Sequence, residues 1–296
     1  MQDRSAACWR AARRVAAGLA VLIALAARTG IASAADEVLV LGVFPRFNAS
    51  ETTTRYAPIA EHLSASLKRK VLLQTSRDFV SFWRGVEESR YDIVQYNQYQ
   101  YLRSAKAYRV IGHNKEFGKS TIAGVIFVRK DSGIKSLADL RGRTVLFGGG
   151  EDAMIAYIAP VYMLLQAGLK KDDFKSQFTV TPINSVIGVY HKQADAAGTG
   201  EGVTAQPAIR ELINIDQLTP LAVSEQLLLF PWSVKRTMPA RLREGIQASL
   251  VDLEKTEAGR EVLKAALLTG IGKAEDKDYE PHRRMVRAVH GNATVE

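Results

Sequence analysis

The stretch Phe147–Pro160 reads FGGGEDAMIAYIAP. An apolar, strand-like run leads into three glycines, and a helix-like run follows them. Such a turn presents backbone N–H groups at a helix start, where unpaired donors and the positive end of the helix dipole suit an anion. The side chains that could add hydroxyls to that grip are instead Ala153, Met154, Ile155 and Ala156. Glu151 and Asp152 stand just ahead of them, and carboxylates themselves favour a helix N-terminus. The local chemistry is therefore an anion cradle without side-chain donors, already faced by negative charge.

Other groups that could hold a ligand lie in three further stretches. YNQYQYL supplies Tyr96, Tyr99 and Tyr101, amphipathic rings with one polar tip each. Thr52, Thr53 and Thr54 offer hydroxyls or helix N-caps, and GTGEG carries Glu201. Arg46 is a lone loop arginine, read as solvent-exposed. Catalysis has little support: neither G-x-S-x-G nor G-x-x-x-x-G-K-[ST] occurs. His62, His113, His191, His282 and His290 fall at no metal-ligand spacing. We expect no catalytic residue, metal or cofactor.

The elements that must position these groups alternate. Strands are expected at Glu37–Pro45, Lys70–Thr75, Tyr91–Asn97, Ser120–Lys130, Arg143–Gly148 and Phe178–Ile183. Between the first two, Tyr56, Ile59, Ala60, Leu63 and Leu67 recur at helical spacing. A second helix follows, with Phe79, Phe82, Trp83 and Val86 inward. AYIAPVYMLLQAGL is helical too, and the chain beyond Pro239 is mainly so. Strand–helix alternation predicts α/β architecture with mostly parallel sheets. Turn-rich passages at Glu116–Thr121 and Asp216–Pro220 would divide the chain into two outer pieces and an inserted middle lobe, leaving a hinged cleft. Ligands in open α/β sheets bind beyond the strands' carboxyl ends. That rule gathers Phe44–Thr54, Tyr96–Tyr101, Gly148–Met154 and Thr199–Glu201 around the cleft.

Four arginines in residues 2–14, an apolar core at Val15–Ala27 and ASA at Ala32–Ala34 form a cleavable secretory signal. A spanning helix would need about 20 apolar residues. Cleavage after residue 34 would leave 262 residues with 35 basic and 30 acidic side chains. It would also remove Cys8, the only cysteine, and with it every disulfide or thiol chemistry. The remaining positive charges are scattered rather than interleaved with aromatics, so no nucleic-acid partner is expected.

The segments GVFPRFNASETTTRYAPIAEHL, YDIVQYNQYQYL, VIFVRKDSGIKSLADLRGRTVLFGG and the tail TEAGREVLKAALLTGIGKAEDKDYEPHRRMVRAV resemble the phosphate/phosphite/phosphonate-type periplasmic solute-binding proteins. The resemblance implies a type II periplasmic binding protein fold, two α/β lobes with the ligand cleft between them. Residues 35–118 and 219–296 would form lobe 1, and 119–218 lobe 2. It implies a periplasmic, monomeric, non-enzymatic carrier serving an inner-membrane ABC permease. Members of the family carry a Ser-Thr-Ser-Gly run that grips the phosphonate oxygens. Matching the Tyr-x-x-Pro that follows onto Tyr157 and Pro160 puts that run on Ala153–Ala156, with all three hydroxyls missing. The resemblance also makes Tyr101 the cleft tyrosine, leaves Asn184 nearest to the family's ligand histidine, and sets Glu201 one place from a carboxylate that some members use for a ligand amine. The expected site is thus Tyr101, Glu151, Asp152, Ala153 and Met154, with Thr52, Thr53, Thr54, Tyr99, Asn184 and Glu201. Its expected ligand has diverged from phosphonate. Two alternatives are a periplasmic carrier of a lipid- or sterol-like ligand and a ligand-sensing partner of a membrane histidine kinase.

Overall fold

The computed structural model describes residues 38–292 and 295, the side chain of Ala208 excepted. The expected leader, residues 1–34, lies outside the described residues. The first part of the chain runs β1 (Leu39–Val43), α1 (Ala49–Leu67), β2 (Val71–Gln74), α2 (Phe79–Glu87), β3 (Ile93–Gln95), α3 (Gln98–Ser104) and β4 (Tyr108–Lys115). The short strand β5 (Thr121–Ile122) leads to β6 (Gly124–Arg129) and β7 (Thr144–Gly148). A π-helical turn, Met154–Ile158, then runs straight into α4 (Ala159–Gln166). After it come β8 (Lys175–Thr179), α5 (Pro182–Tyr190), β9 (Ala196–Gly200), α6 (Pro207–Leu212) and β10 (Leu218–Val223). The chain returns through β11 (Leu227–Leu228) and β12 (Pro231–Lys235), and ends with α7 (Ala240–Val251), α8 (Glu257–Ala265), β13 (Gly270–Lys273) and α9 (Glu280–His290).

Two large sheets result, ordered β13-β4-β12-β3-β1-β2 and β10-β6-β9-β7-β8, with β5 and β11 pairing as a separate ribbon between them. The sheets are mixed rather than mostly parallel, a correction to the expectation. β1 pairs parallel with β2 and β3, and β7 with β8 and β9, but β12 lies antiparallel between β3 and β4. Parallel neighbours need a long crossover. β12 instead enters the first sheet a few residues after the ribbon, so it runs against its neighbours. Strand β10 pairs with β6 in the second sheet. Leu218–Pro220, expected in a boundary turn, are thus part of β10, and the return crossing by pairing is the ribbon itself.

Helices cover both faces of each sheet. On one face of the first sheet, Tyr56, Ile59 and Leu63 of α1 pack with Leu41, Ile93 and Trp232. Behind the second sheet, Val186 and Val189 of α5 pack with Val125 and Phe127. The facing sides of the two sheets share one cluster, in which Val94, Tyr96 and Tyr101 join Ile126, Phe147, Tyr157 and Ile158. Each fully buried Leu or Ile in these clusters contributes about 1.5–3 kcal/mol. Among the described residues no helix is long and apolar enough to cross a membrane.

Three local expectations are revised. The N-cap of α1 is Asn48, whose side chain accepts from the Glu51 N–H at 2.9 Å, so Thr52–Thr54 lie inside the helix. The strand expected over Phe178–Ile183 ends at Thr179, because Pro182 opens α5 and Thr181 caps it. Proline's fixed φ suits a first helical position and cannot serve a strand ladder. Phe79, expected inward, is 43% exposed at the start of α2.

Candidate functional site

The glycine turn is placed by close backbone packing. A Cβ on Gly148 would sit 2.3 Å from Cα of Pro182, so only glycine lets the end of β7 lie against the start of α5. Gly149 follows at φ +91°, a region that side chains disfavour, and its N–H donates to Thr179 O at 2.8 Å. The Ala153 N–H donates to Gly150 O at 3.0 Å, closing the turn. Ala153 then starts the helix without any side-chain cap. Its carbonyl accepts from both Tyr157 N at 2.9 Å and Ile158 N at 3.0 Å, the widened π geometry. Such turns recur at functional positions. The N–H groups of Met154, Ile155 and Ala156 precede the first intrahelical bond. Met154 and Ala156 are buried, Asp152, Ala153 and Ile155 half-buried, and Glu151 exposed.

Two other elements meet this turn. The Nε2–H of His290, the last residue of α9, donates to the Glu151 carbonyl at 3.0 Å. Its ring lies 5.4 Å from Tyr99 of α3 and 6.1 Å from Tyr157, so one imidazole bridges both sheets' helices. Burial lowers the pKa of His290 below its ordinary value. Burial raises that of the Tyr99 phenol, and the negative charges of Asp152 and Glu151 add to the rise. Of the expected site residues, the structure therefore brings together Glu151, Asp152, Ala153, Met154 and Tyr99, and adds His290 and Tyr157. Asn184 is exposed in the first turn of α5, the helix whose start abuts Gly148.

The remaining expected residues have partners elsewhere. Tyr101 is fully buried and donates its phenol hydrogen to Asp276, which also accepts from Arg283 at 3.0 Å. Its ring packs 5.0 Å from Tyr279. Thr52, Thr53 and Thr54 donate to the carbonyls of Phe47, Ala49 and Ser50 at 3.3, 2.8 and 3.1 Å. Back-bonding of this kind occupies the hydroxyl hydrogen inside a helix. Glu201 accepts from Gln226 Nε2 at 3.2 Å and lies 3.6 Å from Lys119 Nζ, tying β9's end to both crossing segments.

Across the cleft, the carboxyl edge of the first sheet carries a polar chain that the sequence reading missed. Arg46, read as a free surface residue, forms a two-pronged ion pair with Glu116 at 2.5 and 3.1 Å. Its guanidinium lies 4.7 Å above the Phe230 ring. Glu116 also accepts from Asn114 Nδ2 at 3.1 Å, and Asn114 Oδ1 accepts from Trp232 Nε1 at 2.8 Å. Beside them Gln95, the last residue of β3, is fully buried, and neither Oε1 nor Nε2 has a hydrogen-bond partner. A glutamine inside the apolar run YDIVQYN was the available signal, since buried polar groups are normally paired.

The crossing ribbon is pinned from both sides. Leu228 O accepts from Gln98 Nε2 at 3.1 Å and from His282 Nε2 at 3.0 Å, and Leu229 O accepts from the Tyr279 hydroxyl at 3.1 Å. Two surface hollows, of about 590 and 410 Å³, are lined by residues on α6 with its following loop and by Lys106, Arg236 and Arg283; neither involves the glycine turn. Among the described residues no group of three His, Cys, Asp or Glu is placed to hold a metal.

Two sheet-based lobes, linked by two adjacent crossing segments and facing each other across strand carboxyl ends, define a type II periplasmic binding protein. A family profile described as "ABC transporter, phosphonate, periplasmic substrate-binding protein" matches residues 41–279, and the chain belongs to that family. The family is periplasmic and supplies the substrate-binding component of a transporter, a non-enzymatic role. Among solved structures, the chain is similar to XAC2383 from Xanthomonas citri bound to ATP, with 17% identity, 88% of this chain and 99% of that one covered, and a TM-score of 0.74. It is similar to PhnD1 from Prochlorococcus marinus in complex with methylphosphonate, with 18% identity, 86% and 99% covered, and a TM-score of 0.70. A binding component of a phosphonate transporter from Pseudomonas aeruginosa matches at 15% identity, over 87% and 90%, with a TM-score of 0.65. At these identities the likeness is one of fold.

Proposed function

We propose that this chain captures a small solute by hinged closure of two lobes about the β5–β11 ribbon and hands it to an inner-membrane ABC permease, acting as a secreted monomer. We propose further that its solute is not a phosphonate. The observation that carries this reading is the helix start at Ala153–Ala156. It has backbone donors but no hydroxyl and no side-chain cap, with Glu151 and Asp152 at its mouth. Each missing charge-assisted hydrogen bond costs about 1.5–3 kcal/mol, and every 1.4 kcal/mol is about tenfold in affinity. The guanidinium of Arg46 cannot compensate, because Glu116 already neutralises it.

A second reading, carriage of a hydrophobic ligand, is favoured by the Phe44, Phe79 and Phe230 rings, with centroids 6.0 and 5.2 Å from Phe44. Calorimetric titration of the mature, refolded protein with phosphate, methylphosphonate and 2-aminoethylphosphonate tests the first reading. We expect no binding below millimolar. Micromolar binding of any of the three would show that backbone donors suffice and would overturn the proposed divergence. Capture itself is checked by native mass spectrometry of protein released directly from the periplasm. A small-molecule adduct lost on refolding is expected, whereas a bare chain mass would count against solute capture.

A further inference from the structure

The sheet orders fix where the two lobes are free to meet. The crossing segments join β4 and β12 of the first sheet to β6 and β10 of the second, so β2 and β8 are the strands farthest from the hinge. β1, β2 and β3 run parallel to one another, as do β7, β8 and β9. Because β12 is antiparallel to both β3 and β4, and β6 is antiparallel to β9, the carboxyl ends of all six strands point at the cleft. The ends of β2 and β8 therefore lie at equivalent places, one on each side of the cleft mouth.

Each of those ends carries two exposed apolar side chains. After β2 they are Phe79, 43% exposed, and Val80, 71% exposed; at the end of β8 they are Phe178, 44%, and Val180, 87%. Among the described residues ten large apolar side chains are exposed, and these two places hold four of them. Single exposed apolar residues are ordinary, whereas clusters mark contact surfaces. Local packing does not account for the pairs. Val180 precedes the Thr181 cap of α5, where an apolar residue commonly packs on the fourth helical position, but that position is Ser185. Phe79 and Val80 open α2 ahead of its buried Phe82 and Val86.

Both ends are pinned from behind. The Asp78 side chain accepts from Ser81 N at 2.7 Å, and the Thr179 hydroxyl donates to Thr181 O at 2.9 Å, spanning Val180. The Phe79 ring lies 6.0 Å from Phe44, and the Phe178 ring 5.4 Å from Tyr157. Charge differs between the two sides. Arg77 is paired with its neighbour Asp78, but Arg84 is exposed and, four residues after Val80, shares its face of α2. On the other side, Glu151 and Asp152 stand on the turn whose Gly149 N–H meets Thr179 O.

We infer that the two apolar pairs are lips that bury each other when the lobes close, bringing Arg84 towards Glu151 and Asp152. This rests on the hinged-closure reading above and names the surfaces that close. Each lip finds in the other a partner that is apolar, equivalently placed and of opposite flanking charge. The contact adds nothing to the open form, so it favours the closed one. It also limits the solute: a molecule enclosed behind the lips lets them meet, whereas one whose chain runs out through the mouth holds them apart.

The test places one thiol on each lip, as Val80→Cys with Val180→Cys, in a Cys8→Ser background that leaves no other cysteine. Both sites are exposed, so folding is not at risk. Dilute, reduced protein without added solute is treated with a mild oxidant or with a long bis-maleimide. Intramolecular products are read by non-reducing electrophoresis and peptide mapping. A disulfide needs Cα atoms within about 7 Å, so it reports direct contact between the lips. We expect a rapid intramolecular disulfide, formed about tenfold more slowly when Phe79→Ser is added, because the closed population sets the rate. Val80→Cys paired with Leu212→Cys on α6 should form none. Cross-linking by the bis-maleimide but not by the oxidant would mean that the lobes approach without the lips meeting. That result overturns the inference and leaves hinged closure standing, whereas no product with either reagent overturns both. A disulfide formed equally fast in the Leu212→Cys pair, or a rate unchanged by Phe79→Ser, would also overturn the apolar contact.

Discussion

The cleft has two walls built on the same topological plan and furnished in opposite ways. On the second sheet, the turn after β7 holds glycines, the carboxylates Glu151 and Asp152, and apolar side chains at its helix start, and its donors reside in the backbone. On the first sheet, the corresponding edge carries Arg46, Gln95, Asn114, Glu116 and Trp232, and all of these but Gln95 are bonded to one another. One wall has backbone donors and no side-chain donor, while the other has side-chain donors and acceptors that are mostly bonded to one another. A residue's type at a cleft therefore says little until its partners are known. Arg46 was read as solvent-exposed and is paired; Gln95 drew no reading from the sequence and is unpaired.

The contrast can be broken hardest from the first sheet. Trp232→Ala removes a fully buried indole together with the donor that orients Asn114, and should cost about 3–5 kcal/mol in urea unfolding. A loss under 1 kcal/mol would mean that this wall is not held by its polar chain.

The ribbon joining the walls is the next largest lever, through pH. Burial pushes the His282 imidazole down to about 4, so it stays neutral while it bonds to Leu228 O. Between its ordinary value near 6.5 and about 4 the unfolded chain takes up a proton that the folded protein refuses. Stability therefore falls as pH drops through that window, by about 3 kcal/mol in total, and the term is absent above pH 6.5. His282→Gln should flatten this part of the profile; an unchanged slope relative to wild type would remove His282 as its source.

On the second sheet, Gly148→Ala drives a Cβ to within 2.3 Å of Pro182 Cα and should cost about 1–3 kcal/mol. It should also disturb the glycine turn locally, seen as altered amide shifts at Gly149–Ala153; unchanged shifts would show that the turn does not depend on that approach. The smallest effect belongs to the threonines. Thr53→Ala, an exposed back-bonded position, should stay within about 0.5 kcal/mol of wild type and leave solute binding unchanged. A loss of solute binding would return that hydroxyl to the site.

Much of the scaffold was legible in the chain. The strand–helix alternation read as α/β, and the glycine turn was located to the residue. Apolar periodicity and glycine punctuation are local, so a linear reading captures them. Legibility failed where an outcome depended on a remote partner. Sheet direction followed from where β12 re-entered, and Tyr101's phenol went to Asp276, which lies far along the chain.

The order of elements, the apolar character of Ala153–Ala156 and the absence of cysteine after Cys8 were determined by the sequence itself, because each is a property of adjacent residues. Only the tertiary structure decided which polar groups are occupied. Glu116 reaches Arg46, His290 reaches Glu151, and nothing reaches Gln95. Hydrogen bonds act over about 3 Å, and the chain brings such groups together only by folding.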